Sequence, residues 1–422
     1  MKTKRVDQQR AFARKWLCGA CCLVLLAGAA PQTAAKRAKH KVEATRNQGE
    51  IPEESLLDVG IQVLGPGLPD NEDALFDLEL EGVYEDVRKS EARYIAVRLL
   101  DTLQSTGFWG AVRVVPAGTY SLDVAIGGKI VESTGKRLVL DLLVVDASGR
   151  VWLEQRYKQL ADPRAYRDSK DGIVRQPFQS LYNRIANDLL AARNKLKDSG
   201  IRDIRAISQL RFAIEVLPAA FADYLEVNRK GRTVVTKLPA ADDPMMERIA
   251  RIREREYMFI DTLTEYYVNF SAQMDESYRS WRQFSYEEQL VKQKLTRQAR
   301  GRKVLGALAI AGGVVAAAEG GEAGAALAEP AILVGTMAIE SGIAKSKEAK
   351  LHVEALRELA SSFNSEVEPL LVEVEGQNLR LTGSIETQYA TWRQLLREIL
   401  TTQTGVPLDP DDISRLAAET EN

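Results

Sequence analysis

The sequence predicts an α+β protein: an N-terminal mixed-sheet α/β domain, then a mostly α-helical coiled-coil region with a Gly/Ala-rich helical hairpin and a small β-hairpin. Three observations predict it. Apolar residues alternate with period two between Leu57 and Tyr157 and again briefly from Leu370 to Leu381. A heptad register of large apolar residues runs from Ile260 to Leu295. Two charge-free stretches, Val304 to Ala318 and Ala331 to Ile339, are bordered or threaded by glycines spaced by seven. The 422 residues allow two or three units. With 45% hydrophobic and 27% charged residues the composition is that of a globular chain. Lys and Arg (57) nearly balance Asp and Glu (59), so the net charge of −2 gives no global footprint for nucleic acid. Two histidines, His40 and His352, and three cysteines leave little material for metal sites, thiol nucleophiles or imidazole bases. No catalytic residue, metal or cofactor is expected, and the chain reads as non-enzymatic.

Met1 to Lys15 carries six basic residues against Asp7, and an apolar run from Trp16 to Ala30 follows. This reads as a signal peptide over 1–29. As a helix the run is about 22 Å long, short of the roughly 30 Å hydrocarbon core, so cleavage is favoured over anchoring. Ala27-Gly28-Ala29 and Thr33-Ala34-Ala35 both offer small residues for cleavage. Cys18, Cys21 and Cys22 all lie in this leader, so the mature chain would hold no disulfide. Lipidation at Cys21 is the alternative, although Cys18 stands where a lipoprotein signal places a Leu-like residue. A basic, Ala-rich linker is expected over 30–55.

The α/β domain is expected over 56–198. Leu57, Val59, Ile61 and Val63 alternate with polar residues and glycine, giving a strand ended by Gly65-Pro66-Gly67. Ser90 to Gln104 has apolar residues at spacings of three and four, with Gly107 at the place of a left-handed cap. Further strands are expected at 111–115, 122–131, 138–145 and 151–157, the last two joined by a turn at Asp146-Ala147-Ser148-Gly149. A helix from Phe178 closes the unit. Asp123 and Asp141 lie on neighbouring predicted strands. Paired and buried, they would suit general acid and base work in a hydrolase, but alternation assigns both to the solvated face. Gly127-Gly128 is read as a bulge or bend, since no helix follows to make a phosphate cradle.

The runs "ARYIAVRLLDTLQSTGFWGAVRVVP", "LDVAIGGKIVES" and "LVLDLLVVDASGRVWLEQRY" resemble the pattern shared by the curli secretion lipoprotein family and the TolB amino-terminal domain. The resemblance covers about one third of the chain. It implies a periplasmic, non-catalytic interaction or assembly domain. The chain departs from the curli family in having no clear acylated cysteine and no segment that matches its membrane strands.

A helical coiled-coil region is expected over 199–303. Ile204, Ile207, Leu210, Ile214 and Leu217 have helical spacing up to Pro218, and Asn228 to Asp243 is a polar connection. From Met245 no proline occurs until Pro330. Ile260, Tyr267, Met274, Trp281, Glu288 and Leu295 form one heptad series, and Leu263, Phe270, Ser277, Phe284 and Val291 its companion. A rod with such a seam must pack on helices of its own chain, Lys347 to Phe363 for instance, or on other copies, and a homo-oligomer is expected.

A glycine-zipper hydrophobic hairpin is expected over 304–345, with Gly306, Gly313 and Gly320 on one arm and Gly335 and Gly342 on the other. Lys292, Lys294, Arg297, Arg300, Arg302 and Lys303 precede it without an acid among them. Such a cationic foot suits anionic head groups, so these residues and glycines are the expected membrane contacts. Dipping or docking is favoured over two full spans; Glu329 and Glu340 instead fit a soluble hairpin. Over 346–406 a helix, a β-hairpin turning at Gly376-Gln377-Asn378 and a helix with Tyr389, Trp392, Leu395, Leu396 and Ile399 are expected, then an acidic tail over 407–422. "VEVEGQNLRLTGSI" is similar to the strand pair of the BON domain, a periplasmic membrane-associated module. Taken together, these features lead to an expected cell-envelope protein in the periplasm of a Gram-negative bacterium. It would be membrane-associated and act in assembly, secretion or transport, with envelope proteins and the membrane surface as partners. An oligomeric channel lined by the Gly-rich helices is the alternative, and a hydrolase using Asp123 and Asp141 the third.

Overall fold

The structure is a computed structural model that describes residues 41–312, apart from 81–82, 117–118, 120–121, 168–173 and 241. In the carboxy-terminal part it describes 351, 353–355, 357–358, 370–374, 377–381 and 384–404. The signal peptide with Cys21, the first part of the linker, Gly313, Gly320, Gly335, Gly342 and the acidic tail lie outside the described residues. The fold class is α+β, a mixed sheet with helices.

Five strands, β1 (Val59–Gln62), β2 (Val112–Val115), β3 (Val124–Ser133), β4 (Arg137–Asp146) and β5 (Val151–Leu160), form one sheet in the order β2-β1-β3-β4-β5. β1 runs parallel to both β2 and β3, while β3, β4 and β5 form an antiparallel meander. Val59, Gly60 and Ile61 are all buried, as a strand between two parallel neighbours requires. Gly60 is small because a Cβ there would sit 2.3 Å from Leu122 Cδ1. At Gly128, φ is +155° and a Cβ would fall 2.1 Å from the Asp141 carbonyl oxygen, so only glycine fits the ladder. The register shift lies just beyond, between Ile130 and Glu132.

Helix α1 (Glu72–Leu80) was not legible in the sequence, and α2 (Glu85–Gln104) starts five residues before the expected Ser90. Gly107 takes φ +69° after α2, where the left-handed cap was expected. α3 (Gln179–Arg193) packs on β5, with the Tyr157 hydroxyl 2.9 Å from Asp188 Oδ2 and Arg184 Nη2 2.7 Å from Gln159 Oε1. The second half of the expected linker is not loose. Asn183 Nδ2 donates to the Val42 carbonyl (2.8 Å), Asn187 Nδ2 to the Glu43 carbonyl (2.9 Å), and the Thr45 amide to Asn187 Oδ1 (2.8 Å). Two amides one turn apart on α3 thus give an extended strap the partners that a strand would otherwise supply.

After α4 (Asp198–Val216) a small hairpin, β6 (Leu225–Val227) and β7 (Thr233–Val235), closes over the β4–β5 turn through the Thr233 amide and the Ser148 carbonyl at 2.9 Å. The sequence had shown only a polar connection there. Helix α5 (Pro244–Gly312) is 69 residues long, about 104 Å, and does not break at 303/304. β8 (Leu370–Val374) and β9 (Gln377–Leu381) form the expected carboxy-terminal hairpin, although Gln377 opens β9 instead of lying in the turn. α6 (Ile385–Thr404) follows.

The boundary expected at 198/199 does not divide the core. Val59, Ile61 and Val114 from the sheet share one cluster with Ile204 and Phe212 of α4, Ile249, Phe259 and Leu263 of α5, and Ile385 and Trp392 of α6. A second cluster joins Val87 and Tyr94 of α2 to Phe270, Met274, Tyr278 and Trp281 of α5 and to Val353.

Candidate functional site

The functional feature the sequence singled out is the long helix, and the structure reveals how it is held. Its heptad seam is spent inside the chain. Ile260, Leu263, Tyr267, Phe270, Met274 and Trp281 are all buried, packed against α2, β2 and their surroundings. Of the two kinds of partner the seam demands, these six residues take the one within the chain, the α/β body, because α2 is apolar on more than the one side that faces the sheet. Phe284 is half-buried and Val291 exposed. Leu295 lies further along the same helix.

Three polar clusters fix α5. At the start of the strands, Arg113 of β2 makes a bidentate pair with Asp261 (2.6 and 3.2 Å) and lies 3.6 Å from Asp58, while its guanidinium covers the Tyr257 ring at 4.6 Å. Asp58 and Asp261 together hold Arg113 charged against the cost of its burial. Nearby, Asp123 Oδ2 accepts the Asp58 amide at 3.0 Å, and Arg253 Nη2 donates to Ser208 Oγ at 2.6 Å. Midway along α2, Glu91 is completely buried. Its Oε1 accepts from Ser133 Oγ (2.6 Å) and the Tyr278 hydroxyl (2.5 Å), and its Oε2 lies 3.2 Å from Arg88 Nε. Arg282, one turn after Tyr278, is buried among the rings of Tyr278 (4.2 Å), Phe178 (4.9 Å) and Tyr94 (5.7 Å). Farther on, the β3–β4 turn reaches α5 through the Gly135 amide and Ser285 Oγ at 3.1 Å, and through Lys136 and Gln293.

Among the described side chains, Lys136 with Gln293 is the farthest contact along α5. The helix continues for 19 more residues to Gly312, about 28 Å. Lys292, Lys294, Arg297, Arg300, Arg302, Lys303 and Gly306 therefore all lie on the last part of one helix, and Lys294 is exposed. No described helix is long and apolar enough to cross a membrane.

The two carboxylates weighed as a catalytic pair are not brought together. Val124 pairs with Asp146 and Lys129 with Asp141, so five residues of β4, about 17 Å, separate Asp141 from the end of the strand beside Asp123. Asp141 is on the solvated face, where a bidentate pair with Arg156 (2.6 Å twice) holds its carboxyl below the usual range. Asp123 corrects the alternation argument. It is buried, and burial pushes its carboxyl up. Ser208 of α4 and Arg253 of α5 face Asp123, just before β3, which period-two patterning along the strand cannot register. Among the described residues no group of His, Cys, Asp or Glu could hold a metal ion.

Glu91, Arg113, Arg282 and Glu256 were not singled out from sequence. The available signal was a charged residue set between apolar ones at helical spacing, as Glu91 is between Val87 and Tyr94. An open cleft of about 930 Å³ lies between the Gly65–Asp70 loop and β3, lined by Leu68, Leu75, Lys89, Lys129 and Ile130 among others. No family model, curated protein or solved structure matches the chain.

Proposed function

We propose that the chain is a non-enzymatic, exported cell-envelope protein of the periplasm that acts in assembly, secretion or transport through protein and membrane contacts. In this reading the α+β body holds α5 as an arm, and the arm carries a basic collar and then an apolar Gly/Ala segment to a membrane surface. One observation carries the reading: α5 stays helical from the body through the six basic residues into the charge-free stretch that starts at Val304. Cationic side chains at the foot of an apolar segment gain free energy among anionic head groups, on the order of 1 kcal/mol per residue near the surface. The leader-like first 29 residues and the resemblance of 56–198 to the TolB amino-terminal domain support export and the periplasm. Any contact between copies would use the end of the seam beyond Trp281, because the large apolar positions up to Trp281 are buried within the chain.

Vesicle flotation and membrane washing test this. The full chain is expected to bind vesicles rich in anionic lipid and to be released by high salt if it docks, or to resist both salt and carbonate if the hairpin inserts. Replacing Lys292, Lys294, Arg297, Arg300, Arg302 and Lys303 with Gln should weaken binding by at least about tenfold. A chain that floats with neither anionic nor neutral vesicles, and fractionates away from membranes at low salt, sinks the reading.

A further inference from the structure

Helix α6 is fastened to the body around a buried carboxyl. Glu256 of α5 is 1% exposed; its Oε1 accepts the Tyr389 hydroxyl of α6 at 2.9 Å, and its Oε2 has no hydrogen-bond partner among the described residues. Around it, Trp392 stacks on Phe259 at 5.2 Å and 15°, and Arg393 of α6 pairs with Glu215 of α4. β8 and β9 pair with each other and not with the five-stranded sheet, so α6 can leave without unthreading a strand from that sheet.

We propose that Glu256 is a proton-operated latch: protonated, it holds α6 against α4 and α5, and its ionisation loosens that helix. An ionised carboxylate in a dry interface needs several donors, and a missing one costs the desolvation of that oxygen. The neighbours decide which form is favoured. From its own helix, Arg253 one turn earlier favours the charge, but its guanidinium reaches Ser208 of α4 at 2.6 Å and lies over the Tyr257 ring at 5.2 Å. From α6 comes the Tyr389 hydroxyl, over whose ring Arg393 sits at 5.6 Å while paired with Glu215. From the segment after β2 comes the Thr119 hydroxyl, which donates to the Pro116 carbonyl at 3.0 Å and acts on Tyr389 as a hydrogen-bonding neighbour. Asp58 and Asp123 set their negative charge against Tyr257, the residue after Glu256 on α5.

Burial outweighs the Tyr389 bond and Arg253, and the carboxyl is pushed up from 4.5 to about 7. Because the docked state raises this value, it holds a proton that the undocked state releases. Docking is therefore fully favoured below about pH 4.5 and weakens as pH rises through about 7, by at most about 300-fold in the equilibrium.

Hydrogen exchange of the full chain between about pH 5 and 8.5, corrected for intrinsic exchange rates, tests the latch. Protection of 388–399 should fall more than about tenfold in the unaltered chain and change less than about twofold in Glu256→Gln. Asp123→Asn, which removes the other buried carboxyl near Arg253, should keep the unaltered response. An undiminished response in Glu256→Gln, or none in the unaltered chain, overturns the proposal. Should Glu256→Gln fail to fold, carbon NMR titration of the unaltered chain decides: a Glu256 midpoint near 7 that coincides with the loss of protection supports it, and one below about 5 overturns it.

Discussion

Glu91 and Asp141 are both carboxylates with a cationic partner, and burial makes them opposites. Glu91 is wholly enclosed and accepts two hydroxyls beside the Arg88 pair, whereas the Asp141–Arg156 pair sits on the wet face of the sheet. Removing one member of a buried set strands the others without water; removing one from an exposed pair lets water replace it. Glu91→Ala is expected to cost about 3–5 kcal/mol in urea unfolding. Asp141→Ala should cost about 1 kcal/mol or less. Equal losses would refute the enclosure of Glu91. From the sequence alternation placed Asp141 on the solvated face, while the enclosure of Glu91 stayed hidden, because a strand's alternation or a helix's spacing describes one element and says nothing of a second layer. Asp123 was misassigned to the solvated face for that reason, and Glu256 went unnoticed inside α5.

At the scale of elements, strands and caps were legible where the side-chain pattern was long. The alternation of Leu138 to Val145, the Asp146–Gly149 turn and Gly107 gave β4, the hairpin and the end of α2 within a residue or two. β6 and β7, three residues each, hold too few side chains for a period to register, and α1 offers nine residues with a weak apolar face. The heptads of α5 were read correctly as a demand for partners, while the partner was not in the heptads. Met274→Glu places a charge in a fully buried position of α5. It is expected to abolish near-ultraviolet dichroism and cooperative unfolding, whereas Val291→Glu, at an exposed position of the same series, should leave both intact. A clean drop in oligomer mass with the fold retained in Met274→Glu would instead restore the intermolecular coiled coil.

For the whole molecule, one core runs from the sheet through α4 and α5 to α6, so the α/β part is not an independent unit. A fragment of residues 41–198 would expose Val87, Tyr94 and the rest of the α2 surface that α5 covers. It is expected to bind hydrophobic dye and unfold without a sharp transition, while 41–404 melts in one step. A 41–198 fragment with a sharp melt of its own would refute the shared core. The sequence by itself determined the α+β class, the five main strands and the existence of a long helix with a demanding apolar seam, since these are local properties written in periods of two, three and a half, and seven. Only the tertiary structure decided that the seam closes on its own α/β body and that Asp123, Glu91 and Glu256 are enclosed. Which surfaces meet depends on residues far apart in the chain, and burial, which sets the energy of every charge here, exists only after they have met.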